Sequence, residues 1–144
     1  MLFRSVPTYG YEYDVMAYAN SEYTYKILWT FNQGYGAQIA AQYGVQPVRN
    51  EAGELTLTYT PNASSTLPLS SAAGSGLLAA AAASQYATQY NSHLSFRMLD
   101  WPDATSIAQK AKLAQDLGVR GIAIFKLDGG EDQNIWPFLK GVKR

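Results

Sequence analysis

The fold class is decided by Trp101–Trp136, which reads WPDATSIAQKAKLAQDLGVRGIAIFKLDGGEDQNIW. Asp103 is a good N-cap residue for the helix that this stretch predicts. The side chains expected to face a sheet recur at helical spacing, at Ile107, Ala111, Ala114 and Leu117. Gly118 ends the helix, and the short apolar run Gly121–Leu127 is typical of a strand buried on both faces. This order is one helix-to-strand step of a parallel α/β fold.

The rest of this stretch predicts an acidic loop and a final helix. Gly129 and Gly130 lie in the loop, and the helix after Asp132 carries the apolar residues Ile135, Trp136, Phe138 and Leu139. Because few strand candidates precede this step, it lacks the neighbours that a parallel sheet requires. We therefore expect the chain to be part of a larger fold.

The residues that precede Trp101 predict both strands and helices. Residues 5–15 predict a strand in which Tyr9, Tyr11 and Tyr13 share one face, because side chains alternate along a strand. Ala19–Tyr43 predicts two helical pieces, with Tyr25, Leu28 and Trp29 at helical spacing in the first. Gly34 and Gly36 are expected to separate the two pieces, and Gly44 is expected to end the second.

The middle of the chain predicts a hairpin, a loop, a helix and a strand. The predicted hairpin joins a strand at Val45–Arg49 to a strand at Glu54–Thr60, with Gly53 at a turn position that requires positive φ. Residues 62–76 are low in complexity and typical of a loop. Leu77–Gln89 is rich in alanine, which favours a helix, although an exposed or partly disordered segment is a nearly equal alternative. Ser95–Leu99 predicts one more strand.

Composition excludes several classes of function. The chain has 144 residues, with 11 Lys and Arg balanced by 11 Asp and Glu, and this balance argues against electrostatic binding of nucleic acid. Cysteine is absent and there is one histidine, His93, which excludes Cys-based zinc sites and His-rich metal sites, and no cofactor is expected. No apolar run is long enough to span a membrane, and no signal peptide is expected to begin at Met1. The location of the protein is left open.

Both ends of the chain resemble one family. VPTYGYEYDV, Val6–Val15, is similar to the seventh barrel strand of glycoside hydrolase family 18, the chitinase-like hydrolases, and Ser106–Trp136 is similar to the helix, eighth strand and acidic loop that end this fold. The second match is strongest to the bacterial branch that hydrolyses cell-wall or spore peptidoglycan. The resemblance implies an α/β fold class: a partial (β/α)8 TIM barrel, with strands seven and eight and the last helix, carrying an α+β insertion at 16–96. A whole barrel needs roughly 250 residues.

The resemblance also implies three residues that contact substrate. Tyr9 matches the tyrosine that lines the sugar cleft, and Tyr11 stands where many members have arginine. Phe125 stands where many members have the tryptophan that forms the floor beneath the central sugar. The alternative for Tyr9 and Phe125 is plain packing in the core, since side chains at barrel strand ends point either to the core or to the cleft.

The catalytic motif of the family is absent from this sequence. Family members carry D-x-x-D-x-D-x-E, whose Glu protonates the glycosidic oxygen while the N-acetyl group of the substrate acts as the nucleophile. Asp100 and Asp103 match the first two Asp positions of this motif. The last two positions, which need Asp and Glu, are occupied by Thr105 and Ile107. We therefore predict no catalytic residue and no hydrolysis by this chain alone.

The acidic loop offers the remaining carboxylate cluster, formed by Asp128, Glu131 and Asp132. A cleft rim, an isolated acid pair and a metal site are alternatives here, but no recognised ligand spacing supports the metal. A solvated loop in which Asp132 caps the last helix is the favoured interpretation.

The resulting functional prediction is the C-terminal part of a hydrolase acting on β-1,4-linked, N-acetylated polysaccharides, chitin-like or peptidoglycan. Such a protein acts outside the cell or in the cell envelope if its full form has a signal peptide. The main alternative is a non-catalytic α+β module that binds carbohydrate or cell wall, and a degenerate structural remnant is a third. Met1–Ser5 fits the family strand poorly, and we predict that it is a truncation scar.

Overall fold

The structure is a computed structural model that describes residues 4–61 and 76–141. The elements in chain order are β1 (Arg4–Pro7), β2 (Tyr9–Tyr18), β3 (Tyr23–Asn32), α1 (Gln33–Tyr43), β4 (Val48–Arg49), β5 (Leu55–Tyr59), α2 (Gly76–Gln89), β6 (His93–Trp101), α3 (Ala104–Asp116), β7 (Ile122–Phe125) and α4 (Ile135–Gly141). The loop predicted at 62–76 lies outside the described residues, apart from Gly76, which begins α2.

The strands form two sheets. A five-stranded antiparallel sheet has the order β3-β2-β6-β5-β4, and β1 pairs with β7 in a separate parallel pair. The described residues therefore form a mixed α/β structure. The predicted hairpin is confirmed, because β4 and β5 are antiparallel and Gly53 has a φ of 79° in the turn that joins them.

The prediction of a helix in the first half of Ala19–Tyr43 is wrong. Tyr23–Asn32 forms β3, an edge strand that pairs with β2 along its length. Aromatic and β-branched residues favour a strand, and the pairing with β2 outweighs the helical spacing of a few apolar residues. Gly34 and Gly36 lie inside α1, which begins after Asn32, where the Asn32 side chain accepts a hydrogen bond from the Tyr35 N–H. Gly44 ends that helix as predicted, with a φ of 64°.

One helix packs on each face of the five-stranded sheet. On one face α1 packs over a cluster that comprises Phe31, Ile39, Leu57, Tyr59, Leu99 and Trp101. On the other face α2 packs over Val15, Ala17 and Phe96. Three α2 alanines, Ala79, Ala83 and Ala87, are fully buried, so the small side chains let this helix approach the strands closely.

The parallel pair packs against α3 and α4 through a smaller core, formed by Val6 of β1, Ile107 of α3 and Ile135 of α4. The prediction that the last strand is buried on both faces is wrong for the described residues. Ile122 and Ile124 pack against this core, but Phe125 is 56% exposed. Leu117, predicted to face the sheet, is 69% exposed because α3 ends at Asp116.

Two β1 residues belong to the segment predicted as a truncation scar. Arg4 and Ser5 pair with Ile122 and Ala123, whereas 1–3 lie outside the described residues. The scar itself stays a prediction.

Gly36 marks the closest approach of α1 to the sheet. A Cβ at this position would lie 2.7 Å from Cε2 of the Trp101 indole. A Cβ at Gly34, in the same helix, would meet no atom closer than 3.4 Å. Gly36→Ala should therefore lower the free energy of unfolding by about 1–3 kcal/mol. Gly34→Ala should leave it unchanged or raise it by up to about 1 kcal/mol, because alanine favours a helix.

Urea unfolding of both variants tests this packing. Since the two substitutions change helix propensity in the same way, the difference between them isolates the contact with Trp101. Equal stabilities of the two variants would contradict the placement of α1.

Candidate functional site

The two sheets meet at Thr8, the single residue between β1 and β2. Its backbone N–H donates a hydrogen bond of 2.7 Å to the carbonyl oxygen of Phe125, the last residue of β7. Its hydroxyl oxygen accepts one of 2.9 Å from the Lys126 N–H. Thr8 is only 2% exposed, so these bonds are shielded from water. They hold the end of β7 beside the start of β2.

This junction brings together the three residues predicted to contact substrate. The rings of Tyr9 and Phe125 meet edge to face, with their centroids 6.2 Å apart at an angle of 87°. Those of Tyr9 and Tyr11 are 5.6 Å apart at 73°. The three rings border a cavity of about 280 Å³, whose lining is completed by Thr8, Thr30, Phe31, Asn32, Lys126 and Asp128.

The exposure of these rings suits contact with a ligand. Phe125 is more than half exposed, whereas Tyr9 and Tyr11 are half-buried. Hydrogen bonding with Tyr9, followed by burial, raises the pKa of Tyr11. Its hydroxyl therefore stays protonated at neutral pH and can both donate and accept hydrogen bonds. The site offers aromatic surface next to neutral hydroxyl groups.

The carboxylates of the acidic loop are engaged within the fold. Asp132 accepts hydrogen bonds of 3.0 Å from the Ala104 N–H at the start of α3 and from the Asn134 N–H just before α4. Asp128 lies 3.2 Å from Lys126 in an ion pair. Asp132 therefore binds backbone at the start of α3 and just before α4, but α4 begins three residues later, at Ile135, so the prediction that Asp132 caps the last helix stays a prediction. Within residues 4–61 and 76–141, no group of three acidic or histidine side chains could hold a metal ion.

Asp100 and Asp103 occupy different environments, and neither lines this cavity. Asp103 caps α3 and forms a 2.8 Å ion pair with Arg49. Burial opposes ionisation of Asp103, but hydrogen bonds from Arg49 and Ser106 outweigh it and lower the pKa. Asp100 is half-buried in β6, and burial raises its pKa.

Glu12 is a residue that the sequence analysis missed. Its carboxylate is 4% exposed and accepts hydrogen bonds from Trp29 Nε1 at 2.6 Å, from the Tyr35 hydroxyl at 3.1 Å and from the Tyr59 hydroxyl at 2.6 Å. These donors come from β3, α1 and β5. Burial, and then Glu12 itself, raises the pKa of Tyr59, so this hydroxyl remains a donor.

Gln33 was also missed, and it ties the five-stranded sheet to the acidic loop. Its side chain is 5% exposed and donates a hydrogen bond of 2.5 Å to the Pro102 carbonyl oxygen. Its amide oxygen accepts one from the Asp132 N–H. The Gly34 N–H donates another, of 2.8 Å, to the Gly130 carbonyl oxygen. The start of α1 therefore fixes the loop that follows Phe125.

The fold is similar to parts of three solved structures. A spore cortex-lytic enzyme, SleL, from Bacillus cereus aligns with a TM-score of 0.62 and 15% identity over 96% of this chain and 24% of its own. The C-terminal domain of a putative chitinase from Desulfitobacterium hafniense aligns with a TM-score of 0.59 and 17% identity, over 95% of this chain and 33% of its own. A chitinase from Chromobacterium violaceum aligns with a TM-score of 0.56 and 21% identity, over 99% of this chain and 33% of its own.

These likenesses show a shared fold. The chain spans about a quarter to a third of the length of the structures that it matches. No family model and no curated protein matches the sequence. No helix among the described residues is long and apolar enough to cross a membrane.

The three hydrogen bonds of Glu12 generate a prediction about stability. Glu12→Gln replaces one acceptor oxygen with an NH2 group that faces a hydroxyl or indole donor. We expect the free energy of unfolding at neutral pH to fall by about 1–3 kcal/mol, the cost of an unsatisfied buried group. Urea unfolding followed by tryptophan fluorescence measures the change.

Asp14→Asn is the matched control for this substitution. Asp14 lies two residues further along β2, is half-buried, and accepts a hydrogen bond of 2.8 Å from Ser95. Its substitution should change the free energy of unfolding by less than about 1 kcal/mol, because the group is near solvent. If both variants lost the same stability, the role assigned to Glu12 would be wrong.

Proposed function

We propose that this chain is part of a family-18-like glycoside hydrolase, in which β1 and β7 are strands seven and eight of a (β/α)8 barrel and α4 is its last helix. Parallel pairing of β1 with β7, with α3 leading into β7, supports this assignment. A helix before a parallel neighbouring strand is the repeating unit of such barrels. In this proposal residues 16–96 are the α+β insertion.

The observation that carries the proposal is the position of Tyr9, Tyr11 and Phe125. Phe125 is the last residue of β7, and Tyr9 lies two residues beyond the end of β1. Both rings therefore lie at the carboxyl ends of the parallel pair. In barrel enzymes this is the end at which active sites are built.

The chemistry of these residues suits a sugar. Aromatic rings stack on the apolar faces of pyranose rings, while tyrosine hydroxyls donate and accept hydrogen bonds. The proposed substrate is a β-1,4-linked polysaccharide of N-acetylated sugars, chitin-like or peptidoglycan, cleaved by the substrate-assisted route. The enzymes similar in fold are chitinases and a spore cortex-lytic enzyme, which agrees with this substrate class.

In this proposal the chain supplies a wall of the cleft and not the general acid. The sequence has no D-x-x-D-x-D-x-E motif, and the acidic side chains near the cavity are bound within the fold. We therefore expect the purified chain to bind glycans without hydrolysing a chromogenic N-acetylglucosamine oligomer. Robust hydrolysis would contradict this part of the proposal.

A non-catalytic carbohydrate-binding module is the second candidate. It is favoured by the five-stranded sheet, which has apolar clusters on both faces. A self-sufficient module should unfold cooperatively as a soluble monomer. A barrel part should associate through the unpaired edges of β1 and β7. Sedimentation velocity combined with thermal unfolding separates the two candidates.

Glycan binding by the aromatic rings can be tested by isothermal titration with hexa-N-acetylchitohexaose. Phe125→Ala and Tyr9→Ala should each weaken binding by about tenfold or more, since loss of a buried aromatic contact costs at least about 1.4 kcal/mol. Phe125 is exposed, so its substitution should leave stability nearly unchanged. Tyr90→Ala removes a ring that is 59% exposed after α2 and serves as the matched control. Equal affinity of all variants would exclude this site.

A further inference from the structure

A second concave region lies on the sheet face that carries Tyr11 and Tyr13. It has a volume of about 600 Å³ and crosses the five strands beside α2. The residues that define this groove are Tyr23, Tyr25, Thr56, Met98 and Asp100, with Glu51 at the turn between β4 and β5. None of them belongs to the cavity around Tyr9 and Phe125.

A row of aromatic rings connects the two regions. Tyr11 and Tyr13 have ring centroids 6.2 Å apart, and Tyr13 and Tyr25 have theirs 6.4 Å apart. The row therefore continues from Phe125 through the tyrosines of β2 to Tyr25 on β3. Tyr25 is 69% exposed at the groove, and its neighbour on the same face, Tyr23, is 58% exposed. A ligand bound in the cavity could extend along this row.

The carboxylates of the groove, Asp100 and Glu51, form no ion pair among the described residues, although Arg49 also lines the groove. Arg49 is held by two hydrogen bonds to the Asp103 carboxylate, at 3.0 and 2.8 Å, and Lys110 pairs with Glu54. The groove therefore presents carboxylates next to exposed tyrosine rings, and the Arg49 guanidinium that also lines it is paired with Asp103.

Two further observations at Asp100 indicate an unfilled polar site. The Thr56 side chain opposite Asp100 is 3% exposed, and its hydroxyl makes no hydrogen bond in good geometry within the described residues. Burial, together with the nearby Glu54, raises the pKa of Asp100 more strongly than the adjacent Thr56 and Asn50 side chains lower it. A bound cation would stabilise the ionised carboxylate, and a hydrogen-bond donor or acceptor would satisfy the hydroxyl.

We propose that this groove binds a hexosamine residue whose amine is free, with its ammonium group at Asp100 and its ring against Tyr25. This inference rests on the proposed glycan cleft and narrows its ligand to a chain that is only partly N-acetylated. Asp100 is the residue that determines specificity for the free amine.

The chemistry favours this ligand over other sugars. A hydrogen bond between an ammonium group and a carboxylate is about twice as strong as one between neutral groups, such as an acetamide N–H and a hydroxyl. Tyrosine faces add a cation–π attraction of about 0.5–1 kcal/mol at exposed sites. A sugar bearing a carboxylate or phosphate would be repelled by Asp100 and Glu51.

The test compares two six-residue oligomers, one of glucosamine and one of N-acetylglucosamine, by isothermal titration to the whole chain at about pH 6, where a free amine is protonated. The unmodified chain should bind the glucosamine oligomer more tightly. Asp100→Asn should weaken binding of this oligomer by about tenfold, and should leave the N-acetylated oligomer unaffected.

Asp116→Asn is the matched control, because it makes the same charge change on the exposed surface of α3, where Asp116 pairs with Lys112. It should keep the affinity of the unmodified chain for both oligomers. A second variant, Tyr25→Ala, should also weaken binding of the glucosamine oligomer. Near-ultraviolet circular dichroism verifies that each variant is folded.

The outcomes separate this inference from the proposed function. Binding of the N-acetylated oligomer that depends on Tyr9, with no preference for the amine form, would overturn the inference and leave the proposed function intact. A preference for the amine form that survives in Asp100→Asn would also overturn the inference. Failure of both oligomers to bind would overturn the inference and the proposed function together.

Discussion

The hydrogen bonds of Thr8 are the constraint on which the candidate site depends. This single residue connects the parallel pair to the antiparallel sheet. Its N–H donates to the backbone of Phe125, and its hydroxyl accepts from the backbone of Lys126. Gln33 fixes the following loop from the other side. Because Thr8 and Gln33 are both buried, the ring of Phe125 is held against Tyr9 by backbone geometry and does not depend on the rings attracting each other.

The two faces of the antiparallel sheet differ in the side chains that they present and in the helix that packs on them. On the face that α1 covers, Glu12 satisfies three donors from three different elements, so β2 and β3 are held in register across a bulge. The opposite face of β2 then presents its tyrosines, because side chains alternate along the strand. α2 covers only part of this face, and the remainder is the groove at Asp100.

Local signals predicted much of this structure, and contacts distant in sequence account for the errors. The cap at Asp103, the turn at Gly53 and the shared face of the β2 tyrosines depend on neighbouring residues and were predicted. β3 was predicted as a helix, because its apolar residues also fit helical spacing and its partner strand was not considered. The roles of Glu12 and Gln33 need partners up to 47 and 99 residues away, which no local pattern indicates.

In the proposed cleft, one glycan contacts Tyr9, Tyr11 and Phe125 together. The most direct measurement is a set of nuclear Overhauser effects between the ring protons of the chain, with labelled tyrosine and phenylalanine, and the protons of a bound N-acetylglucosamine oligomer. We expect effects from one sugar face to Phe125 and from neighbouring sugar protons to Tyr9 and Tyr11. Effects confined to rings elsewhere, such as Tyr86 in α2 and Tyr90 just after it, would contradict a cleft at this site.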